Sequence, residues 1–233
     1  MPLISTTADN SDGWVRNSLA IASYSWADTQ GSVTTTGNGS NFTQTYYNFG
    51  NYCARLAGRG ADTYYNGRVF YEFDLSGESG TATSANLTQN LDHMGVASGS
   101  VPSDEVIIVA ATALAGSTAD YGNVYSSGTT WGTAYSSNVS ISSTSQIHVI
   151  PLNAAAVTAI NSAIGSGNFV CAMVGHYFDY LGNTPDQADA GNPYTKIQHH
   201  FSEHGTSARR PKLITTTSAA ATTDNAIFFG ANF

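Results

Sequence analysis

The chain reads as an all-β protein: a single antiparallel β-sandwich of jelly-roll type carrying one short helix. Three observations predict this. Short runs rich in Val, Ile, Tyr, Phe and Thr alternate almost throughout with Gly/Asn/Ser/Asp clusters, the pattern of many short strands joined by turns. The length of 233 residues suits one large β domain. Hydrophobic residues make up 41% of the chain, enough to fill a core, yet no apolar run approaches the roughly 18 residues of a membrane helix.

Strands are expected over 14–24, 52–56, 68–74, 84–94, 106–112, 146–151, 168–176, 195–201 and 212–217. In VFYEFDL, Val69, Tyr71 and Phe73 fall on one face and Phe70 and Glu72 on the other. Residues 106–115 are apolar nearly without break, which predicts a strand that is central or covered on both faces. A helix is expected over 153–164, with Asn153 as N-cap and Gly165 as C′ glycine. Val157, Ile160 and Ile164 stand at i, i+3 and i+7 on its apolar face. A second helix over 193–204, capped by Asn192 and stopped by Gly205, competes with the strand at 195–201. Residues 29–41 and 179–193 are loops by composition.

The sandwich is expected to occupy 1–217, with loop-rich N-terminal strands in 1–67. Residues 218–233 then form a low-complexity spacer and an aromatic tail, AIFFGANF. Exposed aromatics invite association, so Ile227, Phe228, Phe229 and Phe233 are expected to dock, either on their own sandwich or on another chain. Cys53 and Cys171 each lie in an apolar or aromatic run; separate buried thiols are the expected state, a single bridge the alternative.

From Arg68 onward the sequence resembles the DNRLRE-type domains, β-sandwich modules related to a carbohydrate-binding module family and found in bacterial secreted proteins. The shared features are Arg68 entering a strand, Phe73-Asp74-Leu75-Ser76, a turn, and Ser84-Ala85-Asn86-Leu87. The stretch VIPLNAAAVTAINSAIGSGNFVCAMV follows the family's order of strand, short helix, Gly and strand. Phe201-Ser202-Glu203 and Arg210-Pro211-Lys212-Leu213 are similar to its closing signature, shortened by one residue. The likeness covers about 68–217 and implies the sandwich fold more strongly than any function. Arg68 and Arg210 are among the few cations, and Glu72, Asp74 and Glu203 are their natural partners, so ion pairs bracing a sandwich edge are expected among Arg68, Asp74, Glu203 and Arg210.

The chemistry-bearing residues are sparse. His200-Phe201-Ser202-Glu203-His204 matches the inverted zinc-peptidase pattern H-x-x-E-H, which requires both histidines on one helical face; the strand reading instead makes Glu203 a structural partner. Asp179, Asp186 and Asp189, with Asn183, supply the oxygen ligands that Ca²⁺ takes, without EF-hand spacing, and the same residue types serve turns. No cofactor is otherwise expected. There is no G-x-S-x-G and no phosphate-binding glycine loop, and a non-enzymatic protein is expected. Sugar binding would use exposed rings from the pool Trp14, Trp26, Tyr46, Tyr47, Tyr64, Tyr65 and Trp131, with one tyrosine of each adjacent pair in the core.

Lys and Arg number 8 against 16 Asp and Glu, a formal net charge of −8. That disfavours nucleic acid and anionic lipid as partners. Only 10% of residues are charged, against about 25% in an ordinary soluble protein, and hydroxyls and amides take their place, as on proteins that work outside cells. Residues 1–12 carry no export signal. The expectation from these facts is a structural component of a bacteriophage particle: a capsid decoration, fibre or tail-associated protein, assembled in the host cytoplasm and bound to other virion proteins and copies of itself, with surface glycans as a further partner. The alternative is a secreted bacterial carbohydrate-binding module.

Overall fold

A computed structural model describes residues 3–8, 12–20, 22–32, 37, 39–43, 46–56, 62–93, 105–141, 146–185 and 194–218. Their strands are β1 (Leu3–Thr7), β2 (Gly13–Ala20), β3 (Gly39–Asn41), β4 (Tyr46–Leu56), β5 (Thr63–Asp74), β6 (Thr81–His93), β7 (Glu105–Ala110), β8 (Tyr125–Ser127), β9 (Thr130–Trp131), β10 (Val139–Ser140), β11 (Gln146–Leu152), β12 (Asn168–Gly175), β13 (Tyr194–His200) and β14 (Lys212–Ser218). One α-helix, α1 (Ala154–Ala163), joins β11 to β12. Each of the nine expected strands is present, and the fold is the expected antiparallel β-sandwich with one short helix.

Among the described residues every strand pairing is antiparallel. The main sheet runs β1-β14-β6-β13-β4-β5-β12-β7-β10, with β11 added beside β6 and β2 beside β5. Folding this long sheet over brings β5, β12 and β7 against β6, β11 and β14. Between these layers lie Val69, Tyr71, Phe73, Ile108, Met173, Leu87, Leu91, Ile150 and Leu213, all buried. Apolar residues at every second position of each strand supply this interior.

The opposite face of β5-β12-β7 is also covered. Phe70, Ile107, Val109, Ala172 and Val174 form a second buried cluster with Tyr121 and Val124. This explains why 106–110 carries apolar residues on both faces, as the sequence predicts for that run, and why Phe70 is buried on the second face of β5. Two strands begin earlier than the sequence suggests: β4 and β5 run to 11 and 12 residues. Their Asn and Tyr content hides this from composition. Asn51 is buried in β4 and donates to the Met173 carbonyl at 2.7 Å, and Asn66 is buried in β5 between Cys53 and Tyr121.

The helix forms as predicted. The Asn153 side chain accepts from the Ala156 amide at 3.1 Å, satisfying one orphan donor of the first turn. Ala156, Ile160 and Ala163 are buried, and Val157 and Ile164 pack half-buried at the rim. Gly165 ends the helix at φ +74, a left-handed conformation that costs any residue with a Cβ. The 193–204 helix does not form; Tyr194–His200 is the strand β13. The two cysteines are buried and unbridged. The tail, with Ile227, Phe228, Phe229 and Phe233, lies outside the described residues.

Candidate functional site around Arg68 and Trp131

Arg68 lies on the same face of β5 as Phe70, the face turned away from the sandwich interior. Three irregular segments close over it: 24–32, 111–135 and 176–185. The last begins as a single wide turn, His176–Tyr180, continuing directly from β12, and this brings Asp179 over Arg68. Arg68 donates from Nε to Asp179 Oδ2 and from Nη2 to Asp179 Oδ1, each at 2.8 Å, with both side chains fully buried. Nη1 donates to the Tyr121 carbonyl at 2.7 Å; Nη2 also reaches the Gln30 carbonyl at 2.9 Å and the Tyr125 hydroxyl at 2.7 Å. One side chain thus ties all three covering segments to the sheet.

The guanidinium carbon also stands 4.1 Å from the centre of the Tyr121 ring and 5.0 Å from those of Tyr125 and Trp131, distances at which a cation and a π face attract. Burial favours the neutral form of Arg68 and is the largest single influence, but Asp179, Tyr121 and Tyr125 together outweigh it and raise the pKa of the guanidinium. Burial pushes the Tyr121 hydroxyl well above its ordinary pKa. That hydroxyl donates to the Thr29 carbonyl at 2.6 Å and accepts from Asn66 Nδ2 at 2.9 Å. Trp26 donates its ring N–H to the Phe178 carbonyl at 3.0 Å, and Gln30 Nε2 donates to the same oxygen at 3.1 Å.

Above this buried base lies a row of half-buried rings. Tyr125 and Trp131 face each other across the β8–β9 hairpin with centroids 5.1 Å apart; its turn places Gly128 at φ +57, which glycine adopts without strain. Trp131 is 5.2 Å from Tyr180, and Tyr180 is 5.9 Å from His176. A cleft of about 220 Å³ opens beside the row, lined by Gln30, Tyr125, Thr129, Trp131, Tyr180 and Leu181. Asp179, which also lines the cleft, is engaged with Arg68, and Glu105 is paired with His176 Nδ1 at 3.0 Å. The arrangement suits stacking and hydrogen bonding rather than proton transfer or nucleophilic attack.

Among the described side chains of the aromatic pool expected to meet sugar, only Trp131 belongs to this row. Trp14, Trp26 and Tyr64 are buried: Trp14 faces the sandwich interior, and Trp26 and Tyr64 pack edge to face at 5.5 Å. Those three are corrected to core residues: Trp14 and Tyr64 lie on strands covered on the face where the rings lie, and Trp26, on a covering segment, packs inward against Tyr64 and Phe178. Tyr65 is half-buried on β5. Tyr46 and Tyr47 are on β4, with side chains outside the described residues. Sequence reading missed Tyr125, Tyr180, His176 and Gln30; YSSGTTW, with a glycine turn between two aromatics, was the available signal for the hairpin.

The expected ion pairs also change. Arg68 pairs with Asp179, not with Asp74, Glu72 or Glu203, because its side of β5 faces the loops and not the sandwich edge. Asp74 is exposed and accepts from the Ser76 amide at 2.8 Å; the Ser76 hydroxyl, and then this amide, lower its pKa. Glu72 accepts from Asn168 at 2.7 Å. Arg210 donates through Nε to the His204 carbonyl at 2.7 Å, and its charge partly offsets the burial that raises the pKa of Glu203. Asp179, read as a calcium ligand, has both oxygens turned to Arg68; Asp186 and Asp189 lie outside the described residues.

His200 closes β13, while Glu203 and His204 follow on a turn, so the H-x-x-E-H residues do not share a helical face. The His200 and His204 rings meet edge to face at 4.8 Å. A second polar cluster lies beside them. Asp12 is buried and accepts from the Ser202 amide at 3.0 Å and the Ser202 hydroxyl at 2.6 Å. The Tyr71 hydroxyl and His199 Nδ1 are hydrogen-bonded at 2.9 Å within the core. No protein-family model matches the chain, and no curated protein matches it.

Proposed function

We propose that the chain is a non-enzymatic β-sandwich component of a bacteriophage particle, a capsid decoration, fibre or tail-associated protein, that offers an aromatic row to surface saccharide. The observation that carries the reading is the row itself: Tyr125, Trp131 and Tyr180 in mutual contact, backed by a fully buried ion pair. Rings already fixed in place lose little freedom when the apolar face of a sugar stacks on them. Gln30 and Thr129 stand at the cleft to bond hydroxyls. The net charge of −8 favours neutral or cationic saccharides over acidic ones. The particle setting is supported by a surface in which hydroxyls and amides replace charge, and the likeness to DNRLRE-type modules supports the pairing of sandwich and sugar.

Two measurements test the reading. Mass spectrometry of purified virions should find the polypeptide in stoichiometric amount, and its absence there overturns the particle setting. A glycan array should give a saturable hit that Trp131→Ala weakens at least about tenfold; a blank array, or a hit untouched by Trp131→Ala, overturns the attachment role. The alternative, a secreted bacterial carbohydrate-binding module, shares the aromatic row and differs in source. Recovery of the polypeptide from the medium of uninfected bacteria selects it.

A further inference from the structure

Strand β11 (QIHVIPL) is the longest edge strand among the described residues, and there it pairs on one side only, with β6. It contains no Asp, Glu, Lys or Arg. Ile150 and Leu152 point into the core, while Ile147 and Val149 point outward and are 53% and 59% exposed. They are two of the four large hydrophobic residues exposed among those described. Soluble proteins ordinarily blunt such edges with charge or proline. Strand β11 has no charge and its one proline, Pro151, stands near its end. Residues 146–150 thus leave an uncharged edge with an outward apolar row, a template for a further strand.

Residues 226–233, AIFFGANF, have the matching pattern. In an extended chain Ile227, Phe229, Ala231 and Phe233 fall on one face, and Ala226, Phe228, Gly230 and Asn232 on the other. We propose that this segment of a second copy of the chain adds to β11 as an antiparallel strand, laying Ile227 and Phe229 beside Val149 and Ile147.

The choice of a second copy rests on where β14 ends. Ser218 is paired with Thr81, at the start of β6, while β11 lies on the far flank of β6 and begins its pairing at Ala85. Three strand spacings of about 4.8 Å and the six residues of about 3.3 Å from Thr81 to Leu87, the level at which Ala226 would stand beside Ile150, put the start of the segment about 24 Å from Ser218 in a straight line. That line is obstructed. Asn161 of α1 accepts from the Ala82 amide at 2.7 Å and donates to the Ala82 carbonyl at 3.0 Å, so the helix fills the corner on the β11 flank. Skirting a body roughly 10 Å across leaves the seven linking residues, which extend about 3.3–3.6 Å each, at full stretch. A neighbouring copy meets no such constraint. The inference does not depend on the aromatic row binding sugar.

The test uses the full-length chain in size-exclusion chromatography with light scattering. The wild-type chain should associate. Truncation after Ser218 and, separately, Val149→Lys should each weaken association at least about tenfold, with thermal midpoints kept near wild type, because Val149 is outward-facing. Trp131→Ala should leave association unchanged. Val149→Cys combined with Ile227→Cys, directly opposite in the proposed ladder, should give disulfide-linked dimers or longer chains on a non-reducing gel after oxidation. A monomeric wild-type chain overturns the proposal. So does a cross-link formed within one chain, which would make the segment a strand of its own sandwich, and so does association that survives both the truncation and Val149→Lys.

Discussion

Arg68 and Asp179, 111 residues apart in the chain, meet through two hydrogen bonds of 2.8 Å with both side chains sealed from water. Breaking such a pair is costly because the surviving charge stays buried without its partner, typically by about 3–5 kcal/mol. Asp179→Ala and Arg68→Ala should therefore each lower unfolding free energy by about that amount. Arg68→Lys should also destabilise, since an ammonium cannot reproduce the bidentate fork. The pair Arg68→Met with Asp179→Leu should recover much of the loss, because it removes both charges together. Urea denaturation measures all four. A loss under about 1 kcal/mol for Asp179→Ala would sink the view that this pair fastens the loops to the sheet.

The strands were legible because their residues obey a period of two, and the helix because Asn153 and Gly165 mark its ends. The partner of Arg68 was not. Glu72 and Asp74 are near in sequence, yet the identity of the partner depends on which face of β5 Arg68 occupies and which loop returns over that face. Apolar alternation fixes the first of these: Arg68 shares its parity with Phe70, not with Tyr71. It is silent on the second, since Asp179 arrives on an irregular turn. The same limit applies to the aromatic row. Trp26 and Trp131 look equivalent as letters, and only the covering segments make one core and the other a half-exposed surface.

That difference separates stability from binding. Trp26 is 2% exposed and uses its ring N–H inside the fold, so Trp26→Ala should cost about 3–5 kcal/mol and abolish binding only through unfolding. Trp131→Ala should cost distinctly less and leave circular dichroism unchanged. If saccharide binding depends on the row, the Trp131 variant loses affinity at temperatures where it remains fully folded. Equal thermal losses for the two variants would contradict the burial difference.

The ends of α1 offer a contained check on local energetics. Asn153→Ala removes the cap bond to Ala156 and should cost about 1 kcal/mol. Gly165→Ala forces a Cβ into a φ of +74, at a cost of about 1–2 kcal/mol. The positions lie at opposite ends of the helix, so the two losses should add to within about 0.5 kcal/mol. A neutral Gly165→Ala variant, read by thermal denaturation, would argue against the left-handed helix end.

Asp12 and His199 give stability a pH profile whose two limbs have different owners. Burial, reinforced by the Glu203 carboxylate and opposed by the Ser202 hydrogen bonds, pushes Asp12 up to about 8 from an ordinary 3.8. Its contribution is complete below about pH 4 and is lost as pH rises through 8, because the unfolded chain releases the proton that the folded protein retains. Burial, helped by the neighbouring His200, lowers His199 to about 3 from 6.5. Its contribution is present above about pH 6.5 and is lost as pH falls through 3. Glu203, also raised by burial, acts in the same direction as Asp12, with Arg210 opposing. Between about pH 4 and 6.5 the Asp12 and His199 slopes oppose each other, so stability should change little there, fall from pH 6.5 to 8, and fall again below pH 4. Asp12→Asn keeps an acceptor for Ser202 and removes the titration; it should flatten the alkaline limb and extend the acid limb up to about pH 6.5, where the His199 slope is no longer cancelled by Asp12. Chemical denaturation across pH 3–9 reads both limbs, and an Asp12→Asn variant that still loses stability like the wild type between pH 6.5 and 8 would rule out Asp12 as the source.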